Sequence, residues 1–165
     1  MDKETLKKRL EGCYITVPTM FKDPDLELDL DATRSVVKFM IEHGINSDNA
    51  VVLAGGAAGD FSTMSFDERL AVAEAIIDES AGRVPVAMGG QTTSTRELVK
   101  LIKAAEKLGA DFIQISPPFY FNHTEGDFYE FILAAAEAAP DVGIIIYNTF
   151  WTASDVSCDM VDRLE

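Results

Sequence analysis

Two tyrosines stand out in this 165-residue sequence as side chains whose type and placement could do chemistry. Tyr147 closes the apolar run "GIIIYN" (143–148), and Tyr120 lies within "PPFYF" (117–121), just after another apolar run. A phenol can both donate and accept a proton, so two phenols at one site could relay it. Each tyrosine could equally be an interfacial aromatic with one end in water. Both interpretations stay open for the pair.

A glycine-rich loop, "GGAAGD" (55–60), is the second candidate. Its backbone N–H groups could form a small nest that binds an anion. The loop lacks the Lys-Ser/Thr ending of a phosphate-binding P-loop and does not follow the G-x-G-x-x-G pattern. From the residues alone, a tight turn that needs glycine for backbone reasons is the simpler interpretation.

The remaining chemistry-bearing residues form no recognisable constellation. His43 and His123 have no partners at catalytic spacing, and Cys13 and Cys158 have no metal-ligand spacing. We interpret the two cysteines as free buried thiols. The sequence therefore predicts neither a metal nor another cofactor.

Composition limits the classes of partner. The chain is 47% hydrophobic and carries a net charge of −14, with no basic patch. Such a surface repels nucleic acid and anionic membranes. The charged N-terminus does not resemble a secretory signal, and no apolar stretch is long enough to span a bilayer. We expect a cytoplasmic protein whose ligand is a small molecule.

The elements that must position these residues follow a repeating pattern. Short, near-continuous apolar runs are typical of strands covered on both faces, and five occur: 13–19, 50–55, 84–90, 112–116 and 143–148. Amphipathic stretches with helical spacing separate them. Ser65 with Glu68 and Ser94 with Glu97 fit capping boxes at helix starts, and a further short helix is expected near Ser157.

Two architectures use such a βα repeat. A five-stranded, open doubly wound sheet would suit the length, whereas a (β/α)₈ barrel typically takes about 250 residues. In both, chemistry lies at the carboxyl ends of the strands. The two tyrosines and the glycine-rich loop occupy such ends, so we expect them at one mouth.

The order of these segments resembles the dihydrodipicolinate synthase/N-acetylneuraminate lyase family. The resemblance runs from about Gly12 to Glu165 and rests on "GGAAGDFSTMSFDER", "GRVPVAMGG", "TSTRELVKLIKAAEKLGAD", "ISPPFYF" and "IIIYNT". It implies a (β/α)₈ barrel, often tetrameric, that acts as a class I aldolase or dehydratase on pyruvate or another 2-keto acid. It also implies a Schiff-base lysine on the sixth strand.

Site residues follow from the resemblance position by position. Tyr147 matches the family's proton-shuttling tyrosine, and Tyr120 matches a second tyrosine that completes the relay. Gly56, Ala57 and Ala58 match the loop whose backbone N–H groups hold the substrate carboxylate. By the same resemblance, "PPFYF" is the aromatic lip of a keto-acid site, close to a subunit contact.

Several positions depart from the family pattern. Ala57 and Ala58 replace two threonines, so their hydroxyls are lost while the backbone donors remain. Phe150 replaces a proline, and Thr152 stands where the synthase carries an arginine for a second carboxylate. These changes argue against dihydrodipicolinate synthase itself and favour a lyase or dehydratase relative, or an inactive one.

No lysine falls at the carboxyl end of a predicted strand; the eight lie at positions 3, 7, 8, 22, 38, 100, 103 and 107. The Schiff-base lysine should follow Tyr147 by about 30 residues, one βα unit. We therefore interpret residues 1–165 as a single domain, the N-terminal five-eighths of a barrel without strands six to eight. The open sheet, acting as a non-catalytic anion-binding module, is the alternative.

Overall fold

The computed structural model describes residues 3–150, 152 and 154–164. The strands are β1 (Cys13–Thr16), β2 (Ala50–Ala54), β3 (Val86–Gly89), β4 (Phe112–Ile115) and β5 (Gly143–Ile146). The helices are α1 (Lys3–Lys8), α2 (Leu30–Glu42), α3 (Phe66–Ser80), α4 (Thr95–Leu108), α5 (Glu125–Ala138) and α6 (Cys158–Leu164). Two 3₁₀ turns, Ala57–Gly59 and Phe61–Thr63, lie between β2 and α3.

The five strands form one parallel sheet in the order β1-β2-β3-β4-β5. A doubly wound sheet needs a point at which the strand order reverses, and this sheet has none. The sequential order is that of a (β/α)₈ barrel, in which every helix covers the same face of the sheet. Strand order therefore rules out the open doubly wound alternative.

Side chains alternate between two apolar layers. Val52, Ala54 and Ile113 face the helices and join the larger core, whereas Leu53 and Phe112 belong to a smaller cluster on the opposite face. Each fully buried side chain of this size contributes about 1.5–3 kcal/mol by leaving water. The smaller cluster lies on the inner face of the curved sheet, and the carboxyl end of that face carries the candidate site.

The predicted helix signals are largely confirmed. Ser65 and Glu68 form a complete capping box, and Gly109 ends α4 with a φ of 83°. At α4 only half of the predicted box forms: Ser94 accepts from the Glu97 amide, but the Glu97 carboxylate accepts from Thr92 Oγ1 at 3.1 Å. The Glu97 carboxylate also lies 3.8 Å from Nη1 of a buried arginine, Arg69.

Two sequence-based expectations need correction, and one helix was missed. The first apolar run yields a strand that stops at Thr16, because the proline two residues later cannot donate to a ladder. Cys13 and Cys158 are both free as predicted, but they are exposed rather than buried. Helix α1 was not predicted, because a single charged turn with one apolar anchor, Leu6, carries little periodic signal.

None of the helices in the described part of the chain combines the length and apolar character that crossing a bilayer requires.

Candidate functional site

A cavity of about 280 Å³ opens on the inner face of the sheet, at the carboxyl ends of β1, β2, β4 and β5. Its lining comprises Tyr14, Thr16, Leu53, Ala57, Ala58, Gln114 and Tyr147. Three of the predicted site residues, Tyr147, Ala57 and Ala58, therefore meet at one place. Gly56 and Tyr120 are not among the lining residues.

The glycine-rich loop owes its shape to steric limits. Gly56 is buried, and a Cβ there would come within 2.4 Å of Leu53 Cδ2 and 3.2 Å of Thr16 Cγ2. Gly55 has a φ of 63°, in the left-handed region. Glycine at both positions lets the chain turn closely over β2. Backbone conformation and close packing therefore explain why this loop is rich in glycine.

The same loop also presents backbone donors. Gly56 is extended (φ −76°, ψ −172°), and Ala57 and Ala58 then begin a 3₁₀ turn. The first N–H groups of a helical turn have no acceptor within that turn. Because Ala57 and Ala58 are exposed at the cavity, their N–H groups can donate to an anion there.

A buried threonine, not foreseen from the sequence, fixes this loop. Thr19 is 7% exposed, and its Oγ1 donates to the Gly59 carbonyl over 2.7 Å. Gly59 sits so close to β1 that an added Cβ would lie 3.0 Å from the Val17 carbonyl oxygen. The donor-bearing turn is thus held to the first strand rather than left as a free loop.

Tyr147 extends the pairing of β5 by one residue. Its amide donates to the Ile115 carbonyl over 2.8 Å, which sets the register of the residue that ends the strand. The side chain is half-buried and lines the cavity. Tyr14 lines the same cavity from β1; its side chain is 42% exposed, and the part that is buried raises the pKa of its phenol above the ordinary value.

Tyr120 lies elsewhere. It is 84% exposed, and its ring packs edge-on against Phe121, with 4.7 Å between the centroids. Its φ of 89° is uncommon for a residue with a side chain. The two predicted phenols therefore do not share the cavity within this chain, and no relay between them forms there.

"PPFYF" instead joins a network that ties three carboxyl-end loops together. Phe119 packs edge-on against Phe61, with ring centroids 6.3 Å apart. The guanidinium of Arg69 lies 5.7 Å from the centroid of the Phe61 ring. Arg69 Nη2 also donates to the Gly89 carbonyl at the end of β3 over 2.8 Å, and Nη1 lies 3.8 Å from Glu97.

Arg69 is only 6% exposed. Burial lowers its pKa, and the Glu97 carboxylate acts in the opposite direction. Its sequence position carried a signal, because Arg69 falls three residues before Val72 and four before Ala73, both on the buried face of α3. A charge on such a face points to a specific buried partner.

The two positions that depart from the family pattern near the fifth strand, Phe150 and Thr152, lie outside the cavity. Thr152 Oγ1 donates to the Thr149 carbonyl over 2.7 Å, and it lies 3.3 Å from the Ser154 carbonyl oxygen. Phe150 is 97% exposed.

No group of three or more His, Cys, Asp or Glu side chains suited to hold a metal ion occurs among the described residues.

Comparison with known proteins agrees with the fold. The model of the dihydrodipicolinate synthetase family matches residues 10–165. A 4-hydroxy-tetrahydrodipicolinate synthase of Bradyrhizobium diazoefficiens is 35% identical over 159 residues, which cover 96% of this chain and 51% of that protein. A trans-O-hydroxybenzylidenepyruvate hydratase-aldolase of Sphingobium xenophagum is 33% identical, over 84% of this chain and 43% of that protein.

Among solved structures, one similar chain is YagE, a prophage protein of E. coli K12 that belongs to the dihydrodipicolinic acid synthase family and was crystallised with pyruvate. It superposes with a TM-score of 0.85 at 28% identity, covering 93% of this chain and 50% of that one. The present chain spans about half the length of the relatives and structures it matches.

Proposed function

Because this chain belongs to the dihydrodipicolinate synthetase family, we propose that it supplies part of the site of a lyase that acts on pyruvate or a related 2-keto acid. The relatives named above include both a synthase and a hydratase-aldolase, which supports lyase chemistry without choosing the second substrate. The Schiff-base lysine of the family would come from polypeptide outside these 165 residues.

Two roles follow for the residues at the cavity. The amides of Ala57 and Ala58 bind the substrate carboxylate, since hydrogen bonds to a charged acceptor are about twice as strong as neutral ones. Tyr147 moves a proton to and from the substrate, as a phenol within reach of the reacting atoms can do. The observation that carries this proposal is that backbone donors and a phenol from strands distant in sequence line one cavity.

We also propose a homo-oligomer. Tyr120, Phe121 and Phe150 are large aromatic residues that are 84%, 76% and 97% exposed near the mouth. Exposed aromatic patches mark contact surfaces more often than free surface. In such an assembly Tyr120 would complete the site of a neighbouring subunit, as the family resemblance implies.

The carboxylate role has a direct test. Ala57→Pro removes one N–H donor, and the extended Gly56 before it already has the conformation that precedes a proline. We expect the affinity for pyruvate, measured by ligand-observed NMR titration, to fall by about 10-fold or more. Ala57→Ser keeps the amide and should bind pyruvate as the unchanged chain does. Equal affinities for a folded Ala57→Pro variant and Ala57→Ser would contradict the proposal.

A further inference from the structure

The floor of the cavity carries polar groups that the proposed function does not use. Gln114 is 2% exposed and projects from β4 into the lining, although the apolar run "FIQIS" gave no hint of a polar role. Its side-chain amide has no hydrogen-bond partner among the described residues. Tyr14 and Thr16 line the cavity from β1, and their hydroxyls also have no partner among the described residues, although Tyr14 is 42% exposed and Thr16 is only partly buried.

Buried polar groups without partners are rare in native proteins, and each one calls for a reason. Two residues with such groups lie just beyond the register pair of Gly89 and Gln114: both polar atoms of the Gln91 side chain and the Ser116 hydroxyl are buried without partners in the described chain. Gln91 and Ser116 each lie two residues further along their strands. The carboxyl ends of β3 and β4 thus hold a column of unsatisfied polar groups beside the cavity.

The type of these groups limits what they can bind. This chain contributes no lysine, arginine or histidine to the cavity lining, so it offers no counter-charge of its own to a second carboxylate or a phosphate. An apolar group would leave the buried amide unpaired. A hydroxyl both donates and accepts, as a carboxamide does, so it satisfies Gln114 in either orientation.

We propose that Gln114, assisted by Thr16 and Tyr14, binds a hydroxyl group of the substrate, and that this site selects hydroxylated 2-keto acids over unsubstituted or alkyl ones. The inference rests on the proposed keto-acid site. The substrate carboxylate lies on the amides of Ala57 and Ala58, and its carbon chain reaches toward the β4 side of the cavity. The Tyr14 phenol is protonated near neutral pH, as an ordinary tyrosine is, so its hydroxyl can donate.

Two ligands of nearly equal size test this selectivity. 3-Hydroxypyruvate and 2-oxobutyrate share the keto and carboxylate groups and differ by a hydroxyl in place of a methyl. In NMR titrations the unchanged chain should bind 3-hydroxypyruvate about 10- to 100-fold more tightly, because 2-oxobutyrate leaves the buried amide without a partner.

Gln114→Leu is the matched variant, since it keeps the side-chain size and suits the apolar surroundings. It should lose the preference, mainly through weaker binding of 3-hydroxypyruvate. Thr16→Val should reduce the preference to a smaller degree. Even if Gln114→Leu does not fold, the comparison of the two ligands on the unchanged chain tests whether the site prefers a hydroxylated keto acid.

The outcomes separate the two proposals. If the unchanged chain binds both keto acids with equal affinity, the hydroxyl subsite is wrong while the keto-acid site stands. If it binds neither ligand, the proposed keto-acid function fails, and the subsite fails with it. A preference that persists in a folded Gln114→Leu variant would also overturn the role of Gln114.

Discussion

Tyr147 and Tyr14 reach the same cavity from strands at opposite ends of the sheet, in different surroundings. Tyr147 follows β5 and is half-buried, whereas Tyr14 lies on β1 and is 42% exposed, although the buried part of its surroundings raises the pKa of its phenol. We propose proton transfer for Tyr147 because its position at the end of β5 matches the family's proton-shuttling tyrosine, and we propose Tyr14 as a hydrogen-bond donor.

The assignment of Tyr147 predicts a kinetic effect. In a full-length protein that contains this segment and the Schiff-base lysine, Tyr147→Phe should lower kcat by roughly 10²–10⁴-fold, the usual contribution of a positioned acid or base. Substrate affinity should change less, because the carboxylate contacts remain. Tyr129→Phe, on α5 and outside the cavity lining, is the control and should leave kcat near normal. Near-normal turnover of Tyr147→Phe would remove the catalytic role.

Tyr14 gives a prediction about pH. The folded chain holds the Tyr14 proton beyond the ordinary pKa of 10.0, while the unfolded chain releases it near that value. Above about pH 10 the folded state therefore binds more protons than the unfolded state, and stability falls as pH rises. Urea denaturation should show a weaker loss of stability above pH 10 in Tyr14→Phe than in the unchanged chain. Identical pH profiles would contradict the raised pKa.

At the scale of elements, Arg69 links α3 to β3, to α4 and to the loop after β2. From α3 it donates to the carboxyl end of β3, pairs with Glu97 on α4 and supports Phe61, against which Phe119 packs. The loops after β2, β3 and β4 are therefore not independent. Loop positions that line the cavity are set in part by this one guanidinium.

Removal of the Arg69 guanidinium should lower the free energy of unfolding more than removal of the guanidinium of a more exposed arginine. Arg69→Met leaves the Gly89 carbonyl without its donor and should destabilise the chain by about 2–4 kcal/mol. Arg34→Met is the control: Arg34 also donates to a carbonyl, that of Ala75 over 3.0 Å, but its side chain is 34% exposed. It should cost about 1 kcal/mol or less. Equal midpoints in thermal unfolding would refute the special role of Arg69.

The elements themselves could largely be predicted from the sequence. Continuous apolar runs and helical spacing are local signals in the sequence. Strands that are buried on both faces show the continuous apolar run most clearly. Arg69 and Gln114 show where such signals stop. Each is a polar residue within an apolar pattern. Only the fold shows that Arg69 donates to the Gly89 carbonyl and that Gln114 lines the cavity. The separation of Tyr120 from Tyr147 likewise depends on loop geometry that spacing does not encode.

At the scale of the whole molecule, the described sheet has two open edges. β1 pairs only with β2, and β5 only with β4, within the described residues. Unpaired strand edges favour association with another chain. The 165-residue chain by itself should therefore self-associate, which light scattering after size-exclusion chromatography would show. Ile145→Lys, on the inner face of β5, should reduce the association, and Val161→Lys on exposed α6 should not.

The chain alone should also fail to form a Schiff base. Lys100, Lys103 and Lys107 are exposed on α4, and no lysine is among the residues that line the cavity. An imine needs a lysine within reach of the keto carbon, with its amine neutral often enough to attack. Mass spectrometry after treatment with pyruvate and borohydride should show no added mass, while a full-length synthase relative should be labelled. Labelling of this chain would contradict the placement of its lysines.

The sequential strand order has a consequence for how the polypeptide acquires its structure. Each strand from β2 onward pairs with the strand that directly precedes it in the chain, so no pairing in this sheet waits for a distant segment. Pairings between neighbouring segments form faster than pairings between distant ones, so this order avoids the slowest kind of strand pairing. As the chain leaves the ribosome, each βα unit can dock on the one already made. Assembly can thus run in the direction of translation, with the donor-bearing turn after β2 in place before Gln114 and Tyr147 are synthesised.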